Sequence, residues 1–323
     1  YSKKNHLKSW DDFVSKAING TIFQLQSFLK YHINRKFQNH SLLFLKNNQI
    51  KTVLPAAIIN RHNKKILYSH PGATFGGFIY NKVSFSECQQ TISCLIKYLK
   101  KNNFNQIQLI NTPSLYHHSF DETLEYCLNI NGFFAAERYI SSMIATTDDA
   151  NFIIKKILKN KKRTAQYYNH IINKYDISFH WEKNFQAFYP ILLENKERHG
   201  SAPTHSLKEL CKINAIIPSQ IKLLLIKSKK KVIGGTLLFI ANPKVAIIFY
   251  NVIDYNYKEL QPATLQIIES IKWAKKHNME YLDFGVSQKS LKNNPIAPSP
   301  TLIKFKEQFN ALSFMRKKYI KNL

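Results

Sequence analysis

One order of elements is written twice in this chain, and that repetition limits the possible folds more than any single motif does. In the first half, Leu42–Leu45, Ile50–Ile59 and Ile66–Ser69 read as three strands, parted by polar turns at Lys46-Asn47-Asn48 and Arg61–Lys65. A loop from His70 to Phe78 leads to a helix predicted over Phe85–Lys101, where Cys88, Ile92, Leu95, Ile96 and Leu99 share one face. A strand at Ile107–Ile110, a helix at Glu122–Asn131 and a strand at Ala135–Ile144 complete the series. In the second half, Ile221–Ile226, Val232–Ile240 and Val245–Val252 form a predicted antiparallel meander with a turn at Asn242-Pro243. A helix follows from Pro262, a residue suited to the first helical position, to about His277. Then come a strand at Tyr281–Phe284, a helix at Thr301–Asn310 and a strand at Ser313–Ile320. The pattern β-β-β-α-β-α-β therefore occurs twice.

Helical segments precede each meander. Asp11-Asp12 introduce Phe13–Ile18, where a helix dipole favours acids at its start, and Thr21 opens the run IFQLQSFLKYHI. Their counterparts are Phe152–Asn173, Phe185–His199 and Ser206–Asn214. Thr146-Thr147-Asp148-Asp149 reads as a connector, so two domains are expected, 1–150 and 151–323. A chain of 323 residues, 44% hydrophobic, is long enough for two cores. No apolar run approaches the roughly 20 residues of a membrane span, and the polar opening YSKKNHLKSW is not that of a signal peptide, so a cytoplasmic protein is expected. Cys88, Cys94, Cys127 and Cys211 show no Cys-x-x-Cys spacing; they read as buried reduced thiols, and no metal site is expected.

The formal net charge is +27, and it is uneven. Residues 1–150 hold 17 basic against 9 acidic side chains, while 151–323 hold 30 against 11. Such an excess favours partners that carry phosphate: transfer RNA, coenzyme A, a nucleotide sugar or an anionic membrane surface. Only six of the 47 basic residues are Arg, however, so a Lys-rich composition with solvated side chains on every face explains the charge equally well.

The stretch Tyr281–Phe309 carries most of the functional information. Its strand ends at Asp283-Phe284-Gly285, a polar loop with Pro295, Pro298 and Pro300 follows, and Leu302, Phe305, Phe309 and Leu312 then recur at helical spacing, flanked by Lys304 and Lys306. This signature resembles the Fem-type branch of the GNAT acyltransferase superfamily. The resemblance extends to Ser69-His70-Pro71-Gly72-Ala73-Thr74-Phe75-Gly76-Gly77-Phe78, to the Arg163 region and to Gly234-Gly235. It implies an α/β (α+β) protein of two tandem GNAT-like domains, each a mixed, mostly antiparallel sheet flanked by helices, with the acceptor on the first domain and the acyl donor on the second. The implied activity is an N-acyltransferase that moves an acyl group from acyl-CoA or a carrier protein to an amine of a cell-envelope sugar, nucleotide sugar or peptide precursor. No permanently bound cofactor is expected. The alternatives are an aminoacyl-tRNA-dependent enzyme acting on a peptidoglycan precursor, or a non-catalytic RNA-binding scaffold.

Aminolysis of an ester needs a neutral amine near the acyl carbon, a route for its proton and groups facing the oxyanion, without a covalent enzyme intermediate. By resemblance, Lys306 steadies the charge of donor and transition state and Phe305 packs against the donor; otherwise Lys306 is one more surface lysine. Asp283 either accepts the proton or orients the amine, or it caps the following loop. The donor's pyrophosphate is expected at Tyr255–Thr264, with Lys258, Gln261 and Thr264 as contacts, although this segment has no Gly and Pro262 removes one amide donor. Acceptor contacts are expected from His70, Thr74, Phe75 and Gly76, unless that loop is purely structural. Arg163, Arg198 and His199 are candidates to clamp a phosphate or carboxylate, or else form surface ion pairs. Tyr250 and Asn251 end the third strand, where such folds meet the acyl group.

Overall fold

The computed structural model describes residues 4–33, 35–289, 294 and 296–323, so Pro295 lies outside the described residues. Its elements, in chain order, are α1 (Lys4–Lys16), α2 (Gln26–Leu29), β1 (Gln38–Asn39), β2 (Leu42–Lys46), β3 (Gln49–Leu54), β4 (Ala56–Arg61), β5 (Lys64–Ser69) and β6 (Ile79–Tyr80). There follow α3 (Phe85–Lys101), β7 (Gln106–Ile110), α4 (Thr123–Ile130), β8 (Phe134–Ala145), α5 (Ala150–Asn160), α6 (Ala165–Lys174) and β9 (Ile177–Glu182). The chain ends through α7 (Phe185–Arg198), α8 (Leu207–Ile216), β10 (Ile221–Ser228), β11 (Lys231–Ile240), β12 (Val245–Ile253), α9 (Pro262–Lys276), β13 (Tyr281–Val286), α10 (Pro300–Glu307) and β14 (Leu312–Asn322). Two compact units emerge: Tyr1–Tyr139 with Ser290–Ala297 and Met315–Leu323, and Ile140–Lys289 with Pro298–Phe314.

The first unit has the strand order β1-β4-β5-β7-β14 and a small sheet β2-β3-β6. The predicted strand Ile50–Ile59 is two strands, because Pro55 lacks an amide donor and the chain passes there from the small sheet (β3) to the larger one (β4). The helix α3 starts where Ser84 and Glu87 form a reciprocal capping box. Its buried Cys88, Ile92, Leu95 and Leu99 pack with Leu67, Ile107, Leu109, Leu128 and Tyr319 in one core; each such large side chain contributes about 1.5–3 kcal/mol by leaving water. Around α1 the sequence expectation fails in an informative way. The helix already begins at Lys4, and Asp11 instead accepts hydrogen bonds from the Gln26 and Ser27 amides (2.7 and 3.1 Å), so it caps the single turn α2. The run after Thr21 is a 3-10 turn and that one-turn helix, separated by Leu25 in extended conformation.

The second unit has the order β8-β13-β12-β11-β10-β9. Strands β9 to β12 are antiparallel neighbours, and β12 and β13 run parallel, joined by α9, which is buried along most of its length. Gly234 and Gly235 are explained by this packing: a Cβ would stand 2.3 Å from Gln266 Nε2 at the first and 2.7 Å from the Phe188 ring at the second. The predicted helix Phe152–Asn173 is broken into α5 and α6 at Lys162, whose φ is +53°, and β9 was not foreseen. The last strand of each repeat also departs from simple duplication. Residues of β8 from Ser141 on pair with β13 in the second unit, and Lys318–Asn322 of β14 pair with β7 in the first.

Candidate active site

The strands β12 and β13 pair only over Val245–Ile247 and Tyr281–Asp283, although β12 continues to Ile253 and β13 to Val286. Beyond that point they part. On its other side β13 pairs with β8, and the register shifts between Asp283 and Val286, where Gly285 adopts φ +70°. Few side chains tolerate that conformation, and a glycine supplies it without steric strain. The strand therefore bulges at Gly285 and continues to Val286, beyond the predicted end at Phe284.

The bulge is held from both sides. Asp283, 3% exposed, accepts hydrogen bonds from the Gly285 amide (2.6 Å) and the Ser141 hydroxyl (3.0 Å). Lys306 donates from Nζ to the Gly285 carbonyl (2.6 Å) and the Val286 carbonyl (3.1 Å). Lys306 is itself only 3% exposed, whereas Leu302 and Leu312 of the predicted apolar stripe are 37% and 57% exposed. The helix α10 thus buries its lysine together with Phe309. Pro300 is its first residue and does not deny the helix, since the first turn needs no amide donor there. Burial lowers the Lys306 pKa to about 8, and the Asp283 charge opposes the shift. Phe305 is half-buried against Phe309, with ring centroids 5.1 Å apart. Lys161 sits over the Phe309 ring at 4.5 Å and donates to Gln308 Oε1 at 2.9 Å. Ser287 follows the bulge, fully buried, and its hydroxyl has no hydrogen-bond partner among the described residues. Lys306, Asp283 and Phe305 are thus brought to one place.

Sequence reasoning missed Ser141, Lys161 and Ser287. The adjacent serines Ser141 and Ser142 inside an otherwise apolar strand end were a usable signal; nothing in the run Asn160-Lys161-Lys162-Arg163 sets Lys161 apart.

The start of α9 has a different character from a pyrophosphate cradle. Gln261, at φ +52°, precedes Pro262; its side chain accepts from the Tyr168 hydroxyl (2.8 Å) and donates to the Tyr167 hydroxyl (3.2 Å). The Thr264 and Leu265 amides both donate to the Gln261 carbonyl (3.0 and 3.3 Å), Thr264 is buried, and Lys258 is an exposed side chain beside Glu259 (3.9 Å). With Pro262 lacking an amide and the Thr264 and Leu265 amides turned to Gln261, the first turn offers an anion fewer donors than a glycine-rich turn does. Tyr250 is buried, its hydroxyl accepts from the Thr204 amide (3.0 Å), and burial raises its pKa. Asn251 accepts from Thr236 (2.7 Å) and donates to the Ala263 carbonyl (3.4 Å). Arg163 lies over Tyr167 (5.0 Å), Arg198 over Tyr255 (4.3 Å), and His199 shares a hydrogen bond with the Tyr255 hydroxyl (3.0 Å).

In the first unit, His70, Thr74, Phe75 and Gly76 serve the loop itself. His70 Nδ1 accepts from the Gly72 amide (3.2 Å), and burial, with the nearby His32, lowers its pKa to about 4. Arg316 donates to the Thr74 carbonyl and lies 4.9 Å over the Phe75 ring, which also meets Phe23 and Tyr116 edge-on. A Cβ at Gly76 would fall 2.7 Å from Ser69 Cβ. Among the described residues no cluster suits a metal ion, and no helix is long and apolar enough to cross a membrane.

Residues 216–315 match the model of the FemAB family. No curated protein matches the chain. Among solved structures, FemX is similar at 12% identity and TM-score 0.70, covering 98% of this chain and 96% of that one. The C-terminal DUF2156 domain of a putative lysylphosphatidylglycerol synthetase from Agrobacterium fabrum is similar at 8% identity and TM-score 0.57, covering 100% and 93%. A tandem GNAT protein from the clavulanic acid biosynthesis pathway is similar at 10% identity and TM-score 0.52, covering 99% and 96%. At such identities the likeness establishes the fold, which is the tandem GNAT architecture expected from the repeated order of elements.

Proposed function

From a FemAB-like chain on a tandem GNAT fold, we propose that this protein transfers an acyl or aminoacyl group from an activated ester to an amine of a cell-envelope precursor. The observation that carries the reading is Lys306, an ammonium held away from water with two of its three donors on the bulge carbonyls. In this reading the third N–H donates to a reacting oxygen. In the reaction the amine nitrogen attacks the ester carbonyl carbon, a C–N bond forms, the C–O bond to the carrier breaks, and the amine's proton passes to the departing oxygen. Lys306 stabilises negative charge on that oxygen in a low-dielectric setting, where a fixed cation acts most strongly. Asp283 keeps the bulge in shape by accepting from Gly285 and Ser141, so it acts through the backbone. Phe305 provides an apolar wall, set by Phe309 and Lys161.

The start of α9 favours one donor among those expected. Because Pro262 has no amide and the Thr264 and Leu265 amides and the Gln261 side chain are already engaged, an ester borne on transfer RNA is preferred over acyl-CoA, with a carrier-protein thioester second. Arg163, Arg198 and His199 are exposed and are the proposed contacts for a phosphate or carboxylate, with Arg198 also 3.9 Å from Glu194. The test is to offer charged transfer RNA, acetyl-CoA, longer acyl-CoAs and an acylated carrier protein beside amino-sugar nucleotides and peptidoglycan precursors, and to follow label transfer by mass. Transfer from charged RNA is expected. Transfer from acyl-CoA alone overturns the donor assignment, and normal turnover by Lys306→Ala overturns the site.

A further inference from the structure

A second recess in the same unit uses none of these residues. A cavity of about 410 Å³ opens between β9, β10 and α9, lined in part by Trp181, Lys183, Lys222, Trp273, Lys276 and His277. Its shape follows from the sequence. The strand β9 ends the strand order, and helical spacing sets Trp273, Lys276 and His277 on one flank of α9. Three aromatic rings form a ladder: Trp181 and Trp273 lie 5.4 Å apart, and Trp273 stacks on His277 at 4.3 Å with 20° between the planes. Trp273 is buried, but His277 is exposed, so the imidazole is the solvent-accessible end of the ladder. Its plane is fixed by Nδ1 donating to the Trp273 carbonyl at 2.8 Å.

Lys183, Lys222, Lys272 and Lys276 line the same recess. The two acids of the lining are already neutralised in part, Glu182 by Lys227 (3.0 Å) and Glu269 by Lys272 (3.8 Å). An oriented ring within a recess, edged by cations, matches a nucleobase with the phosphates on either side of it. A flat lipid surface has no use for a stacking platform inside a recess. We propose that this recess holds a segment of single-stranded RNA, one base stacked on His277 and the adjoining phosphates against the lysines. The proposal rests on the reading of an RNA-borne donor and gives that RNA a contact on the protein separate from the reacting ester.

The experiment measures the binding of a fluorescein-labelled 12-nucleotide single-stranded RNA to the whole protein by anisotropy, from 50 to 300 mM salt. Replacing Lys183, Lys222 and Lys276 together by Ala is expected to lower the slope of log affinity against log salt by about 2, since each phosphate contact contributes roughly 0.7. His277→Ala is expected to weaken binding about tenfold, while His277→Phe, which keeps a stacking face, restores most of it. Unchanged affinity and slope in the triple variant overturn the proposal. So does a triple variant that loses phosphatidylglycerol vesicles but keeps RNA, which would make the surface a membrane contact. Lys306→Ala is expected to keep full RNA affinity, so a failure of the transfer reading and a failure of this one are told apart.

Discussion

The buried ammonium of Lys306 makes a quantitative prediction about pH. With its pKa near 8, about nine-tenths of the side chain is charged at pH 7 and only about one-tenth at pH 9. If the charged form stabilises the leaving oxygen, the chemical step has an alkaline limb that falls about tenfold per pH unit above 8. The acceptor amine becomes more nucleophilic over the same range, so the raw profile mixes two titrations. Comparison with Lys306→Arg separates them, because a guanidinium stays charged throughout and the ratio of wild type to variant retains only the lysine term. Single-turnover rates at saturating charged RNA, measured from pH 6.5 to 9.5, supply that ratio. The fold responds too, and with a definite sign. The unfolded lysine titrates near 10.5 and the folded one near 8, so between these values the unfolded state binds more protons and stability rises with pH, by roughly 3 kcal/mol in all. In Lys306→Met this penalty disappears, but the Gly285 and Val286 carbonyls lose their partner at about 1–3 kcal/mol each. The two effects offset each other in part, so the stability at pH 7 is expected to change by no more than about 3 kcal/mol while transfer falls at least about 100-fold. A flat wild-type to Arg ratio up to pH 9.5, or a Met variant with ordinary turnover, would falsify the role given to this cation.

Other outcomes follow from individual contacts. His70 is held neutral with a pKa near 4 against 6.5 unfolded, so stability is lost as pH falls from about 6.5 to 4, by roughly 3 kcal/mol; His70→Gln should flatten that part of a urea-midpoint profile, and an unchanged slope would refute the assignment. Ser287→Ala removes a buried hydroxyl with no partner among the described residues, so chemical denaturation should show equal or greater stability, by up to about 1 kcal/mol. A clear loss of stability would mean that the hydroxyl is bonded in solution. Gly77→Ala places a side chain at φ +71° and 2.0 Å from Asn111 Oδ1, which should destabilise the first unit by at least about 2 kcal/mol; wild-type thermal unfolding would show that the loop is not fixed as described.

How far the sequence reached depended on which physical signal it had to read. The meander Ile221–Ile253 and the helix opening at Pro262 were legible because local chemistry decides them: β-branched runs, an Asn-Pro turn, and a proline at the first helical position. The split at Pro55 was also written locally, but the apolar run on either side concealed it. The exchange of final strands was not legible, since β8 and β14 are alike in pattern and partner choice is settled by long-range pairing.

The burial of Lys306 shows the limit most sharply. Helical periodicity assigns the buried face of α10 to Leu302, Phe305, Phe309 and Leu312, and a lysine beside such a stripe is ordinarily solvated. Phe309 is buried as that assignment requires, and what adds the lysine to the buried face is a pair of carbonyls turned by the bulge at Gly285, twenty-odd residues away in sequence. A buried cation is costly, so it persists only where the backbone has already been shaped to receive it. Here the shaping residues are a glycine in the left-handed region and an aspartate whose carboxylate ties the glycine amide. The motif Asp-Phe-Gly and the motif Phe-Lys are therefore two halves of one device. Changing Gly285 to Ala should impair transfer as Lys306→Met does, since it moves the carbonyls and leaves the ammonium in place. Retention of wild-type single-turnover rates by Gly285→Ala would separate the two motifs and leave the bulge without a part in the chemistry.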